Sequence, residues 1–346
     1  MKKDFKMAIL IPSLIKTAPN MIALTLYRYA KARYGDVSLY YLDPVVNSGK
    51  EFIDATDAIH LTDKNILKEF DIVHSHGLRP DIVNFFYTKK IKLSTIHSFI
   101  TKDLTEKYGI KGFVFSKIWL FFLAKFNSCA VMSNYASNYY SKISCCVIPN
   151  GIDKSSFCKS DEYFSLQQII HEKKQQNKIV VGTVAALEKI KGISQLIDLA
   201  ANNPDINIVI IGDGSQREFF KNYIKRLDLE KQVILYGKVK NGAIYSSLFD
   251  VYVQPSLSEG FGLAVIEAIL NKTPVVCSDI PVFKEMFNSN EVEFFSINDI
   301  SSLYYAIVKA YKYSDNRIDM AYKKVADEYS ESGMVKKYME WYEKFI

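Results

Sequence analysis

Long apolar runs are missing from this chain of 346 residues. The cleanest one, Ile118 to Ala124, covers about a third of the ~20 residues a membrane-spanning helix requires, so a transmembrane protein is not expected. No secretory leader is visible: Met1-Lys2-Lys3-Asp4-Phe5-Lys6 leads into a short strand-like run ending at Pro12, with no small-residue cleavage site behind it. The five cysteines (Cys129, Cys145, Cys146, Cys158, Cys277) are odd in number and form no Cys-x-x-Cys. No histidine stands near them at zinc spacing, and a reduced, cytoplasmic compartment is expected. With 9 Pro and 15 Gly the chain is neither collagen-like nor of low complexity. No nucleic-acid motif occurs and the basic residues are spread out, so no nucleic-acid partner is expected.

What is present is ordinary globular usage, 49% apolar and 24% charged, over a length that suggests two domains. The net charge of +6 is unevenly placed. Residues 1–165 hold 22 Lys+Arg against 15 Asp+Glu, and residues 166–346 hold 22 against 23. One half therefore either faces something anionic or carries a basic solvated surface.

Short apolar runs alternate with helical stretches throughout. Met7–Ile11 and Val37–Leu42 read as strands around a helix at Met21–Arg33. Ile72-Val73 before His74-Ser75-His76-Gly77, Leu93–Ile96 before His97, Ser128–Ser133 and Cys145–Ile148 continue the series. A second series comprises Ile179–Val184, Ile208–Ile211, Val233–Tyr236, Val251–Gln254 and Val275–Ser278. Strand, helix, strand at this spacing predicts two Rossmann-like, doubly wound parallel sheets facing a cleft, with ligands beyond the carboxyl ends of the strands. The expected divisions are 1–153, a linker or insertion at 154–178, 179–328, and a C-terminal helix at 329–346 returning to the first domain.

The densest signal is Pro255-Ser256-Leu257-Ser258-Glu259-Gly260-Phe261-Gly262-Leu263-Ala264-Val265-Ile266-Glu267. A strand ends, a small-residue loop turns, and a helix opens at about Gly262. The free amides of Phe261, Gly262 and Leu263 and the helix dipole suit a phosphate. Glu259 in the loop and Glu267, expected about two turns along the helix, suit sugar hydroxyls as hydrogen-bond acceptors. Either glutamate alone reads as a surface carboxylate; the joint setting of strand, glycines and helix reverses that and points to a site.

With seven residues between its two glutamates in this strand-loop-helix setting, the chain resembles glycosyltransferase family 4, retaining enzymes of the GT-B fold. Ser133-Asn134, Val147-Ile148-Pro149-Asn150-Gly151-Ile152-Asp153, Lys191-Gly192, Gly212-Asp213-Gly214 and Thr273-Pro274-Val275-Val276 stand in the family's order. The resemblance implies that the first domain takes the acceptor and the second a nucleotide sugar. Glu267 would then hold ribose hydroxyls, Glu259 the donor sugar, and Lys191 the leaving diphosphate. Gly260, Phe261, Gly262, Leu263, Gly212 and Lys238 would contact the nucleotide sugar. His97 matches the family's first-domain histidine near the reacting carbon, with His76 and Ser13 on the acceptor side.

Two positions depart from the family. Ala186 stands where an Arg usually precedes the Leu of this stretch; Lys189, Lys16 or Arg79 could supply the missing charge. Ala18-Pro19 stands where paired glycines usually let the first loop approach phosphates. No Asp-x-Asp occurs, so no metal is expected to bridge the diphosphate, and no cofactor is expected. The implied reaction is transfer of a hexose or N-acetylhexosamine, on family usage from a UDP-sugar, to a lipid-linked glycan acceptor in surface polysaccharide synthesis. A non-catalytic nucleotide-sugar-binding protein and an NAD-dependent dehydrogenase are the alternatives. The latter lacks the third glycine of its fingerprint, since Arg217 follows Gly212-Asp213-Gly214 at that place. Residues 111–126, rich in Phe and Lys, read either as a basic amphipathic helix on an anionic membrane surface or as a helix packed on its own domain.

Overall fold

The computed structural model describes residues 5–44, 57–312 and 315–346. Residues 1–4, part of the stretch searched for a leader, lie outside them. The chain divides into two compact units, Met1–Gly151 with Glu331–Ile346, and Ile152–Ser330.

The first unit is a seven-stranded, all-parallel sheet of β1 (Met7–Ile11), β2 (Val37–Tyr41), β3 (Ile59–His60), β4 (Ile72–His76), β5 (Ile91–Thr95), β6 (Ser128–Val131) and β7 (Cys145–Val147) in the order β3-β2-β1-β4-β5-β6-β7. Its helices are α1 (Ala18–Tyr34), α2 (Leu78–Tyr87), α3 (Ile100–Leu123) and α4 (Asn134–Tyr139). β1 is buried along its whole length, as expected of a central parallel strand covered on both faces. Thr17 caps α1 by accepting the Asn20 amide, so Ala18-Pro19 is the first turn of a helix. β4 runs to His76, whereas the sequence pattern ends it at Val73. His74 and His76 are buried in the strand, His74 with Tyr342 and Thr95 on its two ring nitrogens and His76 with His97 on Nδ1, its Nε2 having no partner among the described residues; a count of apolar letters does not register such burial. They therefore do not follow the strand, as expected, but belong to it.

The second unit is a six-stranded parallel sheet of β8 (Ile179–Val184), β9 (Ile206–Ile211), β10 (Val233–Gly237), β11 (Val251–Gln254), β12 (Val275–Ser278) and β13 (Glu293–Phe295) in the order β10-β9-β8-β11-β12-β13. Its helices are α5 (Asp161–Lys174), α6 (Ser194–Asn202), α7 (Arg217–Arg226), α8 (Leu263–Leu270), α9 (Pro281–Met286), α10 (Ile300–Lys312) and α11 (Asp315–Glu328). The stretch expected to be a linker or insertion is largely α5. Ser160 caps this helix by accepting the Tyr163 amide, and Tyr163, Leu166 and Ile170 are buried. The buried residues form one narrow stripe, while Phe164 and Ile169 are exposed and Gln and Lys dilute the rest, which hides the pattern in the sequence.

The chain closes with α12 (Glu331–Glu343), which packs into the core of the first unit through Met334, Val335, Tyr338, Trp341 and Tyr342. Among the described residues no helix is long and apolar enough to cross a membrane.

Candidate active site

Strand order reverses between β8 and β11 in the second sheet, and a doubly wound sheet binds ligands at such a point, beyond the strand ends. The loop after β8 carries Lys191 and the loop after β11 carries Glu259, so the topology alone brings the two together. Lys191 Nζ donates to Glu259 Oε1 at 2.8 Å and to Oε2 at 2.9 Å. The loops are stapled twice: the Leu257 amide donates to the Ile190 carbonyl at 2.8 Å, and Gln195 Nε2 donates to the Pro255 carbonyl at 2.8 Å. Gly192 is required at this crossing. Its φ is +64°, and a Cβ would lie 2.1 Å from the Pro255 carbonyl oxygen.

Three residues that sequence reasoning passed over fix Glu259. Ser256 Oγ donates to Glu259 Oε1 at 2.7 Å, and Gln254 Nε2 donates to the same oxygen at 3.0 Å and to Ser256 Oγ at 2.8 Å. Tyr252 OH donates in turn to Gln254 Oε1. The signal available was a glutamine ending an otherwise apolar strand, Val251-Tyr252-Val253-Gln254, where a buried amide demands partners.

Helix α8 opens one residue later than expected, with Gly262 as its cap at φ +94°. Its first amides have no carbonyl one turn back, and they carry the positive end of the helix dipole. The Phe261 ring is buried against Tyr329, so only its backbone is offered to a ligand. Glu267 is the fifth residue of α8, little more than one turn in rather than two. Burial pushes its carboxyl up to about 7. Gly212 follows β9, its amide donating to the Gly237 carbonyl at 2.8 Å. Lys238 follows β10 and is exposed, as is Lys189. Arg217 opens α7, and its guanidinium reaches the Gly212 carbonyl at 3.4 Å.

The first unit has its own reversal between β1 and β4. Ser13 follows β1 and is nearly buried; its carbonyl accepts Asn20 Nδ2 at 2.9 Å. His76 ends β4, and His97 follows β5. The two rings stack with centroids 5.3 Å apart and share a hydrogen bond of 3.0 Å between His76 Nδ1 and His97 Nε2. Behind them His74 bonds Tyr342 OH at 2.7 Å and Thr95 Oγ1 at 2.8 Å. Burial lowers the His97 ring to about 4 and holds His76 well below its ordinary value, with His74 and His97 adding repulsion. At neutral pH both are neutral imidazoles, able to donate or accept a hydrogen bond but not to act as cations. Arg79, considered as a substitute cation, is committed to both oxygens of Asp43, each at 2.6 Å. Among the described residues no cluster of three His, Cys, Asp or Glu side chains is placed to hold a metal ion.

The family model for glycosyl transferases group 1 matches residues 167–324, which hold Lys191, Glu259 and Glu267. The O-antigen biosynthesis glycosyltransferase WclY of Escherichia coli is 30% identical over 96% of this chain and 96% of its own. The chain belongs to the group 1 glycosyl transferases. A second relative, the UDP-Gal:alpha-D-GlcNAc-diphosphoundecaprenol alpha-1,3-galactosyltransferase of Escherichia coli, is 28% identical over 70% of this chain and 66% of its own. Among solved structures, HepE of Anabaena in complex with UDP and glucose superposes with a TM-score of 0.78 at 15% identity, covering 99% of this chain and 100% of that one. The fold of this group 1 glycosyl transferase is thus GT-B, two parallel-sheet α/β domains of seven and six strands.

Proposed function

We propose that this glycosyltransferase moves a hexose or N-acetylhexosamine from a UDP-sugar, with retention, to a lipid-linked glycan during O-antigen synthesis in the cytoplasm. The observation that carries the reading is the assembly at the second reversal point: Lys191, a carboxylate fixed by four donor contacts, and the free amide end of α8. It supplies a cation and N–H groups for a diphosphate and an acceptor for sugar hydroxyls. The names of WclY and of the galactosyltransferase support the O-antigen setting and the lipid diphosphate acceptor; UDP in HepE supports the nucleotide.

In this reading the bond from the anomeric carbon to the diphosphate oxygen breaks with its electron pair leaving on the diphosphate. Lys191 and the amides from Gly260 to Leu263 stabilise that charge, which is the role a metal ion plays elsewhere. The acceptor oxygen bonds to the same face of the anomeric carbon, and its proton passes to the departing diphosphate oxygen. Glu259 orients the donor sugar, and Gly212 and the backbone around Lys238 take the nucleotide. Lys189 adds positive charge near Lys191 in place of the arginine that Ala186 replaces. His97, neutral and steadied by His76, offers a hydrogen bond to the substrate, and Ser13 lines the acceptor side.

Incubation with UDP-sugars and a polyprenyl-diphosphate-linked sugar should release UDP with formation of an α-linked product, undiminished by EDTA. Release from no UDP-sugar, with no thermal shift by UDP, would leave only a protein of this fold without the activity.

Glu267 adds a pH test. A carboxyl held at about 7 accepts from both ribose hydroxyls only when ionised, the protonated form keeping one good acceptor oxygen, so its affinity contribution is larger above pH 7 and smaller below. UDP affinity should fall up to about tenfold more between pH 8 and pH 6 in the wild type than in Glu267→Gln. Calorimetry in two buffers of different ionisation enthalpy would register the proton released on binding. Equal pH profiles would remove Glu267 from the ribose site.

A further inference from the structure

Helix α3 is built inside out. It is two helices joined at Gly109, where φ 58° and ψ −138° break the backbone. The second half turns back on the first: a Cβ on Gly112 would lie 1.8 Å from the Leu104 carbonyl oxygen, whereas a straight helix separates residues eight apart by about 12 Å. The face that this second half buries is made of Gly112, Ser116 and Leu123. The indole of Trp119 reaches inward to Asp81 Oδ2 at 2.8 Å.

The outward face carries the large apolar groups. Ile110, at the apex, is 84% exposed, and Phe113, Val114, Phe115, Ile118 and Phe121 are 45–59% exposed. Phe86 of α2, 63% exposed and edge-on to Phe122 at 5.6 Å, continues the patch. An aromatic side chain carries roughly 150–250 Å² of surface, so the exposed fractions of Phe86, Phe113, Phe115 and Phe121 leave on the order of 400 Å² of aromatic surface in water. Apolar surface of that extent on one element is the size at which the largest patch of a monomer is often functional.

The charge around it is predominantly positive, with Asp103 and Glu106 just before the break in α3. Residues 107–126 contain Lys107, Lys111, Lys117 and Lys125 and no Asp or Glu. Lys117 Nζ lies over the Phe113 ring at 4.8 Å and Lys125 Nζ over the Phe121 ring at 5.7 Å, so the ammonium groups rim the aromatic face. A protein partner would face a net-positive, Phe-rich surface. An anionic bilayer meets both demands at once, with headgroups for the lysines and the acyl boundary for the rings.

We propose that the second half of α3, from Ile110 to Phe121 with Phe86, docks this enzyme on the surface of an anionic bilayer without crossing it. The proposal stands on the patch itself and is independent of which sugar or acceptor the enzyme uses. The test is flotation of the full chain, without donor or acceptor, on phosphatidylcholine vesicles and on the same vesicles with about a third phosphatidylglycerol. Binding is expected only to the anionic vesicles at about 50 mM salt and should fall at least tenfold at about 500 mM. Phe113→Ser/Phe121→Ser and Lys111→Glu/Lys117→Glu should each lower the partition about tenfold or more. Both replace exposed groups, so the melting temperature should hold, and activity on a water-soluble acceptor should be retained. No binding of the wild type to anionic vesicles at low salt overturns the proposal. So does a dimer in solution that Phe113→Ser/Phe121→Ser dissociates, because the face would then be covered by a second copy. A positive flotation with no transferase activity would instead indict the proposed reaction and leave the docking surface standing.

Discussion

Replacing Lys191 by alanine is expected to lower kcat/KM about 10²–10³-fold. Two losses combine. The diphosphate loses its cation, and Glu259, whose side chain is 9% exposed, keeps only the neutral donors Gln254 and Ser256 around a buried charge. Removing one partner of such a pair costs more than the pair is worth, because the other is stranded. Lys191→Ala/Glu259→Gln should therefore be much less damaging than the product of the two single changes, as expected for groups that act as a unit. Lys189 is exposed, and no described contact ties it to Glu259, so Lys189→Ala should cost about fivefold at most. Steady-state kinetics on the four variants, Lys191→Ala, Glu259→Gln, their combination and Lys189→Ala, decides the matter. A Lys189→Ala defect as large as that of Lys191→Ala would move the diphosphate cation to the wrong lysine.

The pairing behind that prediction was not legible in the sequence, and the reason is topological. Lys191 and Glu259 are 68 positions apart, and only the adjacency of β8 and β11 makes them neighbours. The strands themselves were readable. β1, β8, β11 and β12 fall on the apolar runs that predict them, because a strand covered on both faces is a continuous run of Val, Ile and Leu. β3 and β13, short and at sheet edges, lack that run and went unseen. The opening of α8 was legible to within a residue from glycines flanking an aromatic. What the glycine spacing could not show is that Gly192 lies against the Pro255 carbonyl, since a close approach is a property of two loops. The basic half and the Phe-rich stretch at 111–126 were visible as composition. Which face of α3 points outward depended on the break at Gly109 and on Gly112, which turn an ordinary-looking amphipathic helix inside out.

Acid should loosen the first unit well before the carboxylate range, and the cause is the histidine cluster against α12. His74 is fully buried and its ring is lowered to about 3, chiefly by burial; His76, 1% exposed, is held well below 6.5 in the same way. For such a base the unfolded chain takes a proton that the folded one refuses. The contribution is complete above pH 6.5 and is lost as pH falls toward the folded value. His74 costs about 2 kcal/mol between pH 7.5 and 5, the half-buried His97, lowered to about 4, costs up to about as much, and His76 adds in the same sense. Asp81 works in the opposite sense. Burial raises it to about 7 although Ser75, Ser94 and Trp119 donate to it, so its contribution is complete below 3.8 and is lost as pH rises through 7. It returns about 2–3 kcal/mol over the same interval, less than the histidines together lose, so a net loss remains. Both tryptophans, Trp119 and Trp341, belong to the first unit, so indole emission during urea unfolding reports on that unit alone. The midpoint should fall from pH 7.5 to pH 5 and should fall more steeply in Asp81→Asn, measured against its own value at pH 7.5, because the opposing proton is gone. A midpoint independent of pH over this interval in both proteins would mean that the histidines are protonated in the folded state. That outcome would also end the assignment of His97 as a neutral hydrogen-bonding group.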